Sequence, residues 1–180
     1  LFTEMVMAIE IKDVVIKKMV YLYLCHYAHT NPESGIMCIN TLQRECNNED
    51  PMVRGLALRS ICSLRMVEIL EYVEQPLRKA MSDISAYVRK TAAMGVLKLN
   101  HLDQEFIENA GFKALLANMI EDVDAMVVVN ALVVLDEMQR KDGGLVITQK
   151  MVFELLGRLG EFSEYGLCVV LDLVCRYKPS

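Results

Sequence analysis

Apolar positions recur along the chain in rows. A branched or apolar residue is followed by others four and eight positions later at Ile16, Val20 and Leu24, at Val53, Ala57 and Ile61, at Val88, Ala92 and Val96, and at Val127, Ala131 and Leu135. A weaker copy is Tyr165, Val169 and Leu173. Spacing of four stacks side chains in one row along an α-helix. Five helices are therefore predicted, each turning one row to the interior. The small alanine at the centre of three rows (Ala57, Ala92, Ala131) leaves room for a neighbouring helix to approach closely.

The row-heading residues lie 37, 35, 39 and 38 positions apart. A unit of about 35–47 residues is the length of a HEAT or armadillo repeat, a pair of helices that stacks only on its neighbours. The predicted fold is all-α: a HEAT/armadillo-like solenoid of about five helix pairs, hence about ten helices. It forms one unit over residues 1–180 with no separate second domain. Start signals stand before each inner helix. Asp13 precedes the first, Asp50 and Pro51 the second, Asp83 and Ser85 the third, Asp122 and Asp124 the fourth; short polar side chains cap helices and proline suits the first turn. Outer helices are expected at about Pro32–Arg44, Val67–Met81, Gly111–Ile120 and Thr148–Leu159. Pro76 is expected to kink or end the second of these. Asp142-Gly143-Gly144 marks a loop.

Composition supports helices and narrows function. Hydrophobic residues make up 53%, Trp is absent, and only four Pro and nine Gly are present, too few for an all-β chain rich in turns. The net charge of −5 argues against nucleic acid, although the middle of the chain is mildly basic. The six cysteines fall mostly at apolar-periodic positions, as small hydrophobes do, which suits an intracellular, reducing compartment. The most apolar stretch, Met126 to Leu135, is half the length a membrane span needs. The chain opens at Leu1 without an initiator Met and stops just after an apolar helix, so it is expected to be a piece of a longer solenoid.

Chemical motifs are sparse. Cys25, His26 and His29 form a metal-like cluster, but structural zinc takes four ligands and no second pair follows at suitable spacing; packing explains the cluster. His101 stands alone near a helix junction. No nucleophile elbow, phosphate loop, dinucleotide fingerprint or zinc-protease motif occurs, and Glu121, Asp122 and Asp124 suit a helix start, where the helix dipole favours negative charge. No catalytic residue, metal or cofactor is expected. Lys17, Arg54 and Arg89 each follow a row-heading residue by one. They form either a basic stripe for lipid or an acidic partner, or a ladder of ion pairs to the acids that open the repeats; the ladder is favoured. Asn130, inside the fourth inner helix, is expected to be buried and bonded to a neighbouring loop.

The rows also carry longer runs. Asp13 to Leu24 reads DVVIKKMVYLYL, and this resembles a repeat of the beta-adaptins, the large beta chains of heterotetrameric adaptor-protein complexes. The run from Pro51 to Ser60, the pair Gln75–Lys79 and Tyr87–Ala93, and Met126–Ala131 resemble the repeats that follow in that family. Arg54 to Met66, RGLALRSICSLRM, is most similar to the beta chain of the fourth adaptor complex. The resemblance implies an N-terminal trunk segment of a structural coat subunit, not an enzyme, acting in cargo sorting and intracellular protein transport. The implied partners are a second large chain, a medium chain and a small chain. The implied location is cytoplasmic, peripheral on the cytosolic face of trans-Golgi network or endosomal membranes, reached through the complex.

The resemblance further implies an Arf-type small GTPase docking on the early repeats. The helix expected over Pro32–Arg44 matches the region that carries such contacts. Within it Ile36 and Ile39 lie about 60° apart around the helix and are expected to form a partly exposed apolar patch. Met37, Cys38, Leu42 and Cys46 make the other faces apolar too, so a helix packed on both sides has the same pattern. The alternative function is a HEAT-repeat regulatory scaffold of another class, such as a phosphatase scaffold or a transport receptor. That class shares the periodicity but not the YLYL and RGLALRS runs. An enzyme would need a convergent polar set that the sequence does not offer.

Overall fold

The computed structural model describes residues 2–28, 32–64 and 66–178, and these residues form eleven α-helices and no strand. The inner helices are α2 (Val14–Tyr27), α4 (Pro51–Ile61), α6 (Ala86–Leu102), α9 (Ala125–Met138) and α11 (Glu164–Cys175). The outer ones are α3 (Pro32–Glu45), α5 (Leu70–Met81), α8 (Phe112–Met119) and α10 (Gln149–Gly157). Two short helices have no counterpart in the repeat pattern: α1 (Phe2–Met7) and α7 (Gln104–Asn109). The inner helices stack in chain order, and α3, α5 and α8 form a second layer against them, the two-layer construction of a helical solenoid.

The start signals act as caps. Asp13 accepts hydrogen bonds from the backbone N–H of Val15 and Ile16 at 2.8 and 3.0 Å, Asp50 from Met52 at 2.8 Å, and Asp124 from Met126 and Val127. Such a cap contributes about 1 kcal/mol. α6 differs: Ser85 makes no side-chain cap, and the Asp83 carboxylate instead accepts from the Ser85 N–H at 2.8 Å.

Pro76 does not end its helix; α5 continues through it to Met81. Proline removes the N–H that would bond the carbonyl four residues back, that of Tyr72. In this fold that carbonyl accepts a hydrogen bond from the Gln43 side-chain amide of α3 at 2.6 Å. The neighbouring repeat satisfies the acceptor, and the helix persists.

Three rows face the interior throughout. Val53, Ala57 and Ile61, Val88, Ala92 and Val96, and Val127, Ala131 and Leu135 are all at most 5% exposed. The first and last rows depart from expectation by one position. Ile16 is exposed, and its inward place is taken by Lys17, whose ammonium is held by the Ile9 carbonyl and Glu45. Tyr165 is 86% exposed, while Gly166, Val170 and Leu173 turn inward. A Cβ on Gly166 would lie 3.1 Å from a methyl of Val129, so α11 lies close to α9 at this residue, and the row shifts to include it.

α9 joins two apolar clusters. Val127, Ala131 and Val134 belong to the large one that runs back to Ile9; Val128, Val129 and Leu132 belong to a smaller one with Leu155, Phe162 and Val170. Burial on both sides accounts for the run that is most apolar in the sequence. Among the described residues no helix is long and apolar enough to cross a membrane.

Candidate partner-binding site

The basic residues that follow the row-heading positions are used internally. Lys17 bonds Glu45 at 2.6 Å, both side chains at most 10% exposed. Arg54 makes a two-pronged contact with Asp83 at 2.8 Å on each side and also donates to the carbonyls of Asn48 and Glu49. Arg89 repeats this with Asp122, at 2.7 and 2.8 Å, and with the carbonyls of Asp83 and Ile84. Arg54 and Arg89 thus each fasten the loop opening their own repeat to the acid opening the next, while Lys17 ties the Ile9 carbonyl to Glu45 at the end of α3. Burial alone would raise the Asp83 carboxyl; hydrogen bonds from Arg54 and from the Ser85 N–H outweigh it and hold it below the ordinary carboxylate range. The Arg89 guanidinium holds Asp122 low in the same way. These three positions form the ladder and not a stripe for lipid.

The patch expected on α3 is half present. Ile36 is 44% exposed, but Ile39 is 1% exposed and part of the core. The two are 60° apart, and the boundary between core and solvent runs between them: Cys38, Ile39 and Leu42 are buried, while Ile36 and Asn40 are exposed. The exposure expected of Ile39 is therefore corrected. Among the described side chains in the first half of this helix, Ile36 and, one turn on, Asn40 face solvent.

The cysteines do not build a reactive site. The Cys25 thiol donates to the Ser60 carbonyl at 3.3 Å, and burial pushes the thiols of Cys38 up to about 11 and of Cys46 and Cys62 up to about 12. A thiol so raised is a poor nucleophile at neutral pH. Cys168 and Cys175 are exposed. His29 lies outside the described residues, and among these no three His, Cys, Asp or Glu side chains are grouped to hold a metal ion.

Asn130 is half-buried, and its amide donates to the Lys90 carbonyl of helix α6 at 3.1 Å, not to a loop. Beside it opens a feature the sequence reading missed: a pocket of about 430 Å³ between α4, α6 and α9. Arg59, Lys90 and Lys98 line it together with Tyr87, Met94 and Met126, and among the described residues no carboxylate does. Tyr87 fits because residue 55 is glycine; a Cβ there would come within 2.3 Å of its ring. The signal in the sequence is the row Lys90, Met94, Lys98, four residues apart on one face of α6. The more regular ladder arginines masked it.

The profile described as "Adaptin N terminal region" matches residues 1–180. Beta-adaptin-like protein A of Arabidopsis thaliana is 41% identical, over 99% of this chain and 23% of its own length. The AP-4 complex subunit beta-1 of Mus musculus is 40% identical, over 99% and 24%. The AP-1 complex subunit beta-1 of Mus musculus is 36% identical, over 99% and 19%. The chain thus spans about a quarter or less of the length of these curated relatives. Among solved structures, a designed armadillo repeat protein superposes with a TM-score of 0.59 at 19% identity, over 96% of this chain and 80% of that one, a likeness of fold alone.

Proposed function

The chain belongs to the adaptin N-terminal family, and from that premise we propose that it forms part of the helical trunk of a beta-type large chain in an adaptor-protein complex, a vesicle-coat scaffold and not an enzyme. The observation that carries this reading is identity of 36–41% to beta-adaptin chains across essentially every residue. In the complex, the trunk packs against a second large chain, a medium chain and a small chain. The assembly sits peripherally on the cytosolic face of trans-Golgi network or endosomal membranes and sorts transmembrane cargo. The fourth-type complex is the preferred parent, since the mouse AP-4 beta chain is 40% identical and the mouse AP-1 beta chain 36%.

Purification of the tagged full-length protein from cells, followed by mass spectrometry, tests the assignment. Recovery of a medium chain and a second large chain is the expected result. Recovery of a phosphatase catalytic subunit or a transport cargo without them would replace it with the regulatory-scaffold reading.

Recruitment by an Arf-type small GTPase belongs to the same proposal, with its contact on the solvent face of α3 at Ile36. Ile36→Asp should weaken a GTP-dependent pull-down without lowering the melting temperature. Ile39→Asp should lower the melting temperature, because it puts a charge in the core. Unaltered binding by Ile36→Asp would remove Ile36 from the contact.

A further inference from the structure

We propose that the pocket between α4, α6 and α9 binds an acidic linear peptide segment of a partner protein, one with an apolar side chain beside its carboxylates. This site is separate from the α3 surface and does not rest on the coat-subunit reading.

Three properties of the lining point to that ligand. The first is charge. Arg59 on α4 and Lys90 on α6 have no carboxylate partner among the described residues, although Arg54 and Arg89, each close in sequence, are paired with aspartates. Lys98 also lines the recess and donates to the Ser63 hydroxyl at 2.6 Å. Two cations without a carboxylate partner, Arg59 and Lys90, therefore converge in a chain whose net charge is −5. An acidic segment is attracted to this recess and repelled by the strongly acidic stretch after residue 100.

The second property is the apolar wall. Tyr87, Met94 and Met126 share the lining with the cations. The Lys90 ammonium stands 5.8 Å from the centre of the Tyr87 ring, so charged and apolar surfaces adjoin. A bare phosphate satisfies the cations and leaves this wall uncovered. A peptide that places a leucine or phenylalanine next to its acids covers both, and methionine side chains adapt readily to such an insertion.

The third property is the Asn130 amide. Its N–H is committed to the Lys90 carbonyl at 3.1 Å, which leaves its oxygen as an acceptor for a peptide backbone N–H. An extended peptide has such a group at every residue, whereas a lipid headgroup phosphate does not.

Fluorescence anisotropy with the full chain tests the proposal. The probe is a labelled octapeptide of seven Glu and Asp residues with one central Leu. The controls are a matched Lys-rich peptide and vesicles of phosphatidylcholine containing phosphatidylinositol 4-phosphate. The acidic peptide should bind, and binding should fall as salt rises. The double variant Arg59→Gln, Lys90→Gln should weaken it by about tenfold or more, and replacing the Leu by Ser should weaken it several-fold. Thermal melts of the variant keep the test sound: neither side chain holds an ion pair among the described residues, so the melting temperature should not move, and Arg59→Lys, Lys90→Arg should restore binding. Absence of acidic-peptide binding at low salt would overturn the proposal. So would binding indifferent to the double variant, or vesicle binding that needs Arg59 and Lys90 while the peptide does not bind.

Discussion

Arg89 on α6 and Val128 on α9 hold the same place in their repeats, one residue after Val88 and Val127. The joints they make are built from opposite materials. Arg89 reaches across to Asp122 with two hydrogen bonds, both side chains less than 20% exposed. Val128 is fully buried in an apolar cluster that includes Phe162, which stands where the preceding repeats carry the exposed Ile84 and Val123. The acid at the corresponding place, Glu161, pairs instead with Arg158 of its own turn, at 2.8 Å. A well-bonded, partly buried ion pair and a well-packed apolar contact of similar volume are close in net stability. The difference therefore lies in what each joint tolerates. The charged joint fails when either partner is lost or protonated, and the apolar joint is indifferent to pH and sensitive to volume.

The regular middle can be set against the end of the chain by placing the same charge in both. Ala92→Glu puts a carboxylate between α6 and its neighbours at a fully buried site. It should cost several kcal/mol and lower the melting temperature by 10 °C or more, at about 2–4 °C per kcal/mol for a chain of this size. Tyr165→Glu, at the row-heading place of the last repeat, should be near neutral because Tyr165 is 86% exposed. Equal effects in a calorimetric melt would mean that the rows are not what distinguishes middle from end.

At the joints, Arg89→Ala leaves Asp122 without its partner and should cost roughly 2–3 kcal/mol. The double variant Arg89→Ala, Asp122→Ala should recover part of that loss, because the orphaned charge is gone. Denaturant melts of the four-member cycle measure the coupling. Val128→Ala should cost about 1–2 kcal/mol as lost packing and show no coupling to Asp122. A coupling near zero for the Arg89–Asp122 pair would reduce the ladder to decoration.

Periodicity made the middle of the molecule legible and the ends less so. Rows two to four each face neighbours on both sides, so every fourth residue has to be apolar and small at the centre. The two arginine rungs of the ladder were readable because Arg54 and Arg89 stand at a repeat-fixed position next to the row and Asp83 and Asp122 stand at the next repeat's opening. At α2 and α11 one position of slip was hidden. Lys17 can point inward only because Glu45 and the Ile9 carbonyl meet it, partners that are 28 and 8 residues away and carry no local signal. Gly166 is likewise inward because of what it lacks. Ile39 was misplaced for a related reason: a helix apolar on several faces does not declare where its solvent edge falls. The cationic pocket was missed because it draws on three helices and follows no single repeat position.

Acid should separate the two joints further. The folded-state pKa values of Asp83 and Asp122 lie below the ordinary carboxylate range. A depressed folded pKa contributes stability that is fully present above the unfolded value of about 3.9 and is lost as pH falls through the folded one. Wild-type stability should therefore decline below about pH 5 and continue to fall beneath pH 3.9. Asp122→Asn should already lack this joint's contribution at pH 7 and show a shallower decline on acidification. A parallel pH profile for wild type and variant, followed by urea melts, would show that the ladder carboxylates do not control the acid limb.

The outer layer supplies a third kind of joint, neutral and weaker than either, and it gives the smallest effect. Gln43 donates to the Tyr72 carbonyl at 2.6 Å, the acceptor that Pro76 leaves without its helical partner. Gln43→Ala should cost about 1 kcal/mol, the loss of one hydrogen bond to a carbonyl that water can partly reach. The informative variant is Pro76→Ala. It restores the N–H four residues beyond Tyr72, so α5 bonds that carbonyl by itself and gains helix propensity. In that background Gln43→Ala should be almost silent, since the carbonyl no longer depends on α3. The expected signature is thus a coupling between two residues on different helices that acts entirely through the backbone of a third, Tyr72. If Gln43→Ala costs the same in both backgrounds, its effect is ordinary packing between α3 and α5, and the continuity of α5 through Pro76 needs another cause.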